Sequence, residues 1–403
     1  LQIKRWNFPK SKSNHKNFIL QKAGIFFCAE NLQVKNFFWE ENILRELKGG
    51  FTTGAAAAAG VKAALIFFET GEKVSEVELI ALDGTTLKIP VAKVEVQGEK
   101  ICVEVIKDAG DDPDITNGTE IFTTTKKICG DEIIFRAGLG VGKVTKAGLQ
   151  IEVGEPAINP GPRRLIKNVA AEFNCKGLEV EISIPAGVEL ARKTLNPVLG
   201  VEGGLSVIGS TGILRPMSKE AFKNSLVPQI DVAKAAGYDA LIFVPGKIGE
   251  TLAKNFGLAE GAIVQTSNFI GFMLEQAAER NISKIIFCGH LGKLVKVAAG
   301  IFYTHNRVAD GRLETLAAYA AAEGLPSSEV QKILSSATTE EATEIISANN
   351  LEIVYRKIAE RASLRAERYT FGKIQVGTIL ADYSGKILGC DESAEKICKL
   401  LRR

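Results

Sequence analysis

At 403 residues, with 46% apolar and 24% charged side chains, the chain is long enough for two hydrophobic cores and has an ordinary globular composition. Its longest apolar stretches, such as "AALIFF" and "ALIFV", fall far short of the roughly 20 residues of a membrane span, so no transmembrane helix is expected. The net charge of +3 is unevenly placed: residues 1–48 hold nine Lys/Arg against four Glu, leaving 41 basic and 43 acidic residues elsewhere, a near-neutral body that argues against a nucleic-acid partner. Seven scattered cysteines without a Cys-x-x-Cys pair argue against a disulfide framework or zinc knuckle and fit a reducing cytoplasm.

Residues 1–48 carry both tryptophans, six of the twenty phenylalanines and no aspartate, and read as an extension outside the main fold. They lack the pattern of a secretory signal, because Lys22, Glu30 and Lys35 interrupt the apolar parts. From Phe51 the pattern is regular. "FTTGAAAAAGVKAALIFFETG" predicts a helix with Thr52 or Thr53 as N-cap and Gly71 as stop. Strand-like runs follow: "EVELIALDG", "KIPVAKVEVQG", "KICVEVIKDAG", "DEIIFRAG" and "LEVEISIPAG", with a helix after Pro162. Residues 49–196 therefore read as an α+β domain with a largely antiparallel or mixed sheet. From 197 to 403 the short runs "LSVIGS", "DALIFVPG", "AIVQTS" and "KIIFCGH" alternate with helical stretches, the signature of an α/β domain with a mainly parallel sheet. Helices from about 312 to 370 and a last strand "KIQVGTILADYSGKILG" complete it.

Four aspartates crowd the turn "KDAGDDPDITNG", Asp108 to Asp114. No register places the ligands of a calcium loop: from Asp108 the third position is Gly110, and from Asp112 the sixth is Asn117. A generic divalent-metal cluster stays open beside a turn stapled by side-chain to backbone bonds around Pro113, and no required metal is expected. "GLGVGK", Gly138 to Lys143, has the wrong spacing for a phosphate loop and runs into a strand. "VIGSTGILRPMS", "VPGKIG" and "CGHLGK" each bring a strand-like run to a glycine turn, which predicts a ligand cleft at the carboxyl ends of parallel strands. The glycines could equally close tight turns. His290 sits at one such end and His305 before a helix, with no Ser-His-Asp or Cys-His order around them.

The ordered motifs "GGFTTGAAAAAGVKAAL", "VIKDAGDDPDITNGTEI", "GLGVGKVTKAGLQIEVGEPAINPGPRRLI", "GSTGILRPMSKEA", "QTSNFIGFMLEQA" and "GHLGKLVKVAAGIFYTHNRVADGRLE" closely resemble the CbiD family. The resemblance runs from about Leu44 to the C-terminal region. One departure is Ala56, where the family's first motif often carries a cysteine, so no catalytic thiol is carried over there. The resemblance implies a methyltransferase that moves the methyl of S-adenosylmethionine to ring carbon C-1 of cobalt-precorrin-5B, giving cobalt-precorrin-6A in anaerobic cobalamin biosynthesis. Cobalt enters only as part of the substrate.

In that light Gly209, Ser210, Thr211, Gly212, Gly246 and Gly289 are expected to bind the methyl donor, since glycine lets backbone amides approach a ligand. Thr52, Thr53, Gly54, Arg163, Arg164, Arg215 and His305 are expected on the substrate, the arginines pairing with its carboxylates. Asp108, Asp111 and His290 are the candidates at the chemistry; the acidic loop either faces the cationic donor or orients the "TTG" and "PRR" segments. Two alternatives use the same features: a nucleotide-dependent oxidoreductase, told apart by binding NAD(P)H, and a non-catalytic tetrapyrrole carrier, told apart by the absence of methyl transfer. A homo-oligomer is compatible with either.

Overall fold

The computed structural model describes residues 47–402. All but the last two residues of the extension expected over 1–48 lie outside the described residues. Among the described residues the short strand Gly50–Phe51, paired with Ile213–Leu214, leads into the helix Thr53–Thr70, capped by the Thr52 Oγ1 on the Ala55 N–H and closed by Gly71, whose N–H reaches the Phe67 carbonyl. Ala55 to Ala59 are fully buried. With only methyl groups along its first turns, the helix can lie close to the strands Lys100–Ile106 and Glu120–Lys127 and to the helix Pro160–Glu172 at once.

Those strands belong to a five-stranded sheet ordered Lys93–Gln97, Lys100–Ile106, Glu120–Lys127, Leu178–Ser183, Ile133–Ala137. Its first three pairings are antiparallel and the last is parallel. The central strand Glu120–Lys127 is absent from the predicted runs, because Thr123 and Thr125, both fully buried, take inward positions where an apolar pattern is sought. "KIPVAKVEVQG", read as one run, is two strands: Thr86–Pro90 pairs with Glu76–Ile80 as a separate hairpin, and Lys93–Gln97 joins the large sheet. The glycines of "GLGVGK" allow close backbone crossings near Ile184 and Gly204.

The second sheet runs Ile263–Gln265, Ala240–Val244, Lys284–His290, Gln375–Ala381, Ile387–Cys390, parallel except for the last strand. The single run expected at the C-terminus is thus a hairpin. Alternate residues serve two cores: Leu241, Phe243, Ile285 and Phe287 face one side, Ala240, Ile242, Val244, Ile286 and Cys288 the other. Burial on both faces explains why these strands read as continuous apolar runs rather than alternating ones. Fold class is therefore mixed α/β, with a mostly antiparallel sheet followed by a mainly parallel one.

One reading of the strands is corrected. "LSVIGS" does not join the parallel sheet: Leu205 and Val207 are buried in the first core, and the second core takes up the chain at Leu226. Val207 bridges Ile158 instead, so the chain from 197 to 207 packs with the first half rather than opening the second. An isolated apolar run carries no information about which sheet receives it.

Candidate functional site

The glycine turns anticipated on one edge fall into two separate places. In the first half, the Thr52–Gly54 segment and the Gly209–Gly212 turn clasp each other. Thr52 donates its N–H to the Gly212 carbonyl at 2.9 Å, and the Gly54 N–H reaches the Ile208 carbonyl at 3.0 Å. Thr53 Oγ1 accepts from the Ile208 N–H at 2.9 Å and donates to the Ile208 carbonyl at 3.2 Å. Gly209 has a φ of +138°, and a Cβ there would stand 2.2 Å from Thr52 Oγ1. Thr211 passes its carbonyl to the Leu82 N–H at 2.8 Å. Thr52 and Thr53 are buried, whereas Ile208 and Ser210 are well exposed. These residues are occupied by one another, which corrects the expectation that Gly209 to Gly212 lie at a strand end of the parallel sheet.

The acidic turn is a staple for the same segment. Asp108 takes the Lys48 ammonium at 2.7 Å and the Gly110 N–H at 2.8 Å, and these donors hold its carboxyl below the ordinary carboxylate range. Asp111 accepts the Lys48 N–H at 2.7 Å, and Asp112 accepts the Met217 N–H at 2.8 Å. Asp114 binds the buried Lys107 ammonium at 2.6 Å. Phe51 donates to the Asp108 carbonyl at 2.9 Å. So Asp108 and Asp111 set the path of residues 48–51 into the helix, and neither lines the cleft described below. Among the described residues no group of three or more His, Cys, Asp or Glu is placed to hold a metal ion.

Of the arginines, Arg163 donates from Nε to the Ile158 carbonyl at 2.8 Å and lies 5.0 Å from the Phe135 ring, with Glu155 at 3.3 Å. That leaves it poorly placed for bidentate capture of a carboxylate. Arg164 is exposed beside it in a separate cavity with Lys167. Arg215 is exposed, 3.9 Å from Asp83.

The second place is a cleft of about 420 Å³ in the other half. Strands Ala240–Val244 and Lys284–His290 lie side by side and parallel. From their carboxyl ends the chain leaves in opposite directions: the helix Lys247–Asn255 packs on one face of the sheet and Leu291–Ala298 on the other. That divergence is a topological switch point, where open α/β sheets bind ligands. Gly246 and His290 are the N-caps, so both helix N-termini turn their positive dipole ends to the cleft; the Lys247–Asn255 helix has no side-chain cap, whereas His290 caps the Gly292 N–H of the other. No atom comes within 4 Å of a Cβ placed on Gly246.

His290 accepts the Gly292 N–H on Nδ1 at 3.0 Å, which places the ring proton on Nε2, 2.7 Å from Glu340 Oε1. Its ring stacks on Tyr383 at 4.1 Å. Lys293 spans the floor to the Pro245 carbonyl at 2.7 Å; burial and the nearby Lys296 hold its pKa below the ordinary lysine value. Lys296, almost wholly buried, donates to the Thr304 and Ala309 carbonyls at 3.1 and 3.0 Å and to Asn306 Oδ1 at 2.6 Å. This ammonium shapes the loop that brings Thr304, His305 and Asn306 to the cleft wall. Cys288, beneath the cleft, is pushed up to about 12 by burial and supplies no thiolate near neutral pH.

Of the expected residues, then, Gly246, His290 and His305 meet at one cleft, and Gly289 lies buried behind it. Lys247, Asn268, Lys293, Arg312 and Tyr383 line it as well and were not singled out. A signal for two of them was present: Gly246-Lys247 and Gly292-Lys293 repeat a glycine-lysine step just past two parallel strands.

The CbiD family model matches residues 40–216, and the model for the CbiD C-terminal domain matches residues 303–392. The chain belongs to the CbiD family. A cobalt-precorrin-5B C(1)-methyltransferase from Moorella thermoacetica is 48% identical over 359 residues, covering 88% of this chain and 98% of its own. One from Methanocaldococcus jannaschii is 48% identical over 350 residues, covering 86% and 96%. One from Desulfitobacterium hafniense is 44% identical over 355 residues, covering 87% and 92%. The crystal structure of a cobalamin biosynthesis protein (cbiD) from Archaeoglobus fulgidus aligns at 28% identity over 65% of this chain and 83% of its own, with a TM-score of 0.35.

Proposed function

We infer that this protein is a cobalt-precorrin-5B C(1)-methyltransferase of cobalamin biosynthesis. The carrying observation is the 48% identity to the Moorella thermoacetica enzyme across 98% of that enzyme's length. No helix among the described residues is long and apolar enough to cross a membrane.

The methyl donor is S-adenosylmethionine, and its site is the switch-point cleft. A cavity of about 420 Å³, an open Gly246 and two helix N-termini support that placement, because an amino-acid carboxylate suits a helix N-terminus beside Lys293. When bound, S-adenosylmethionine supplies a methyl group on a sulfonium leaving group. Ring carbon C-1 belongs to an electron-rich conjugated macrocycle and is itself the nucleophile. Methyl transfer to that carbon would break the carbon–sulfur bond and release the donor as the neutral thioether S-adenosylhomocysteine.

The chain's own part is alignment and exclusion of water. Lys293 fixes one wall to Pro245, Lys296 fixes the 304–309 loop, and His290 is held at a set angle between Glu340 and Tyr383. Such a site needs neither thiol nor metal from the protein, in keeping with its meagre set of reactive side chains. The test is anaerobic incubation with cobalt-precorrin-5B and methyl-labelled S-adenosylmethionine. A corrinoid product carrying one labelled methyl is expected; unchanged corrinoid with label left in the donor would overturn the assignment.

A further inference from the structure

Resting on that assignment, we propose that an aromatic ladder beside the cleft is the platform on which the macrocycle of cobalt-precorrin-5B lies. The ladder starts at the cleft wall with His305. Tyr303 follows with its ring centroid 6.2 Å away, then Phe269 stacked on Tyr303 at 5.1 Å and 16°, then Phe222 at 5.8 Å from Phe269. Phe222, on the surface helix Lys219–Leu226, is 52% exposed, and Phe269, Tyr303 and His305 are half-buried.

Cations edge the ladder. The Lys219 ammonium lies 5.9 Å from the centre of the Tyr303 ring and has no carboxylate within ion-pair distance among the described residues. Lys223 lies 4.6 Å from the Phe272 ring and pairs with Glu220 at 2.7 Å. Arg307, two residues past His305, is exposed and makes no ion pair among the described residues. The match is to a flat, conjugated molecule with acidic groups around its rim: its ring face packs on the exposed Phe222, tilted 59° to Phe269, and on the edges of the stacked Phe269–Tyr303 pair, while acetate and propionate groups meet the lysines and Arg307.

The backbone adds a separate observation. Met217 and Ser267 sit at φ +55° and +52°, in the left-handed region, and neither is a glycine or an asparagine or ends a helix. Each precedes one side of the ladder by a few residues, Met217 before Phe222 and Ser267 before Phe269. Strain of this kind persists only where the surroundings hold it in place. Met217 is held by the Asp112 carboxylate on its N–H at 2.8 Å, which links the acidic turn to the platform. A macrocycle resting here has one edge at the cleft, where the methyl donor is assigned.

Phe222→Ala and Lys219→Glu test this, since both side chains are at the surface and their loss leaves the core intact. Each should raise KM for cobalt-precorrin-5B by about tenfold and weaken, by a similar factor, corrinoid binding followed by its absorbance in the presence of S-adenosylhomocysteine. Calorimetric affinity for S-adenosylmethionine and the melting temperature should stay at wild-type values. An active wild type whose two variants keep wild-type corrinoid KM and affinity would overturn the platform, as would loss of donor affinity in step with substrate affinity. A wild type inactive toward cobalt-precorrin-5B would instead strike the assignment on which the platform rests.

Discussion

At Gly209 the space beside the backbone is taken by Thr52, whose Oγ1 would stand 2.2 Å from an added Cβ, whereas at Gly246 no atom lies within 4 Å of one. Both glycines end strand-like runs, but Gly246 caps the helix Lys247–Asn255 directly, whereas the strand Ile213–Leu214 stands between Gly209 and the helix Lys219–Leu226. In the first half the turn is spent on the protein itself: its carbonyls and its flanks bond to Thr52, Thr53, Gly54 and Leu82. In the second half the turn faces a cleft and leaves helix N–H groups unpaired. The difference teaches that a glycine turn is a means of close approach, and the neighbour decides whether the approaching group is protein or ligand.

The comparison breaks most severely at Gly209. Gly209→Val combines a clash with Thr52 and a φ of +138° that a β-branched residue resists, so it should cost about 3 kcal/mol or more by urea unfolding. A wild-type unfolding midpoint would show that the clasp is looser than its bonds imply.

Next is Lys107→Met, which removes a buried ammonium from Asp114 and should cost about 3 kcal/mol. Burial pushes the Asp114 carboxyl up, but Lys107 and two bonds from Thr116 outweigh it and leave the net value below the ordinary range. A depressed folded value means that this contribution is complete above the unfolded pKa of about 3.9 and is lost as pH falls through the lower folded value. Stability measured from pH 6 down to pH 2, values chosen to bracket that window, should therefore fall less steeply on the acid side in Lys107→Met than in wild type.

Gly246→Val sharpens the other half of the comparison. A side chain there meets open space, and the extended backbone accepts it, so the melting temperature should hold while S-adenosylmethionine affinity falls about tenfold by calorimetry. Equal affinities would move the donor out of the cleft.

The smallest effect is expected at Asp111→Asn. The amide oxygen can still accept the Lys48 N–H, so both activity and stability should change by no more than about 0.5 kcal/mol. A loss of methyl transfer tenfold or greater at constant stability would return the acidic turn to the chemistry.

Much of the fold was readable. The Thr52 cap, the Gly71 stop and the parallel strands 240–244, 263–265 and 284–290 follow from local pattern. The strand Glu120–Lys127 did not, since polar threonines take its inward positions: the Thr123 Oγ1 donates to the Ala57 carbonyl of the first helix at 3.4 Å, and the Thr125 Oγ1 is buried without a partner among the described residues. At the site, His290 and Gly246 were readable because strand ends with glycine turns mark switch points. Lys296 was not, because a lysine in an apolar helix looks solvent-facing until three loop acceptors are found around its ammonium.

The sequence by itself determined the family, the two kinds of sheet and the kinds of side chain available for chemistry, all of which depend on local pattern or on ordered motifs along the chain. Only the tertiary structure decided which glycine turn is sealed and which is open, that the aspartates hold residues 48–51 and Met217, and that Phe222, Phe269, Tyr303 and His305 form one ladder. Those outcomes depend on pairs far apart in sequence, Thr52 with Gly209 or Lys48 with Asp111, whose meeting is set by how two layers pack and not by either residue's own preferences.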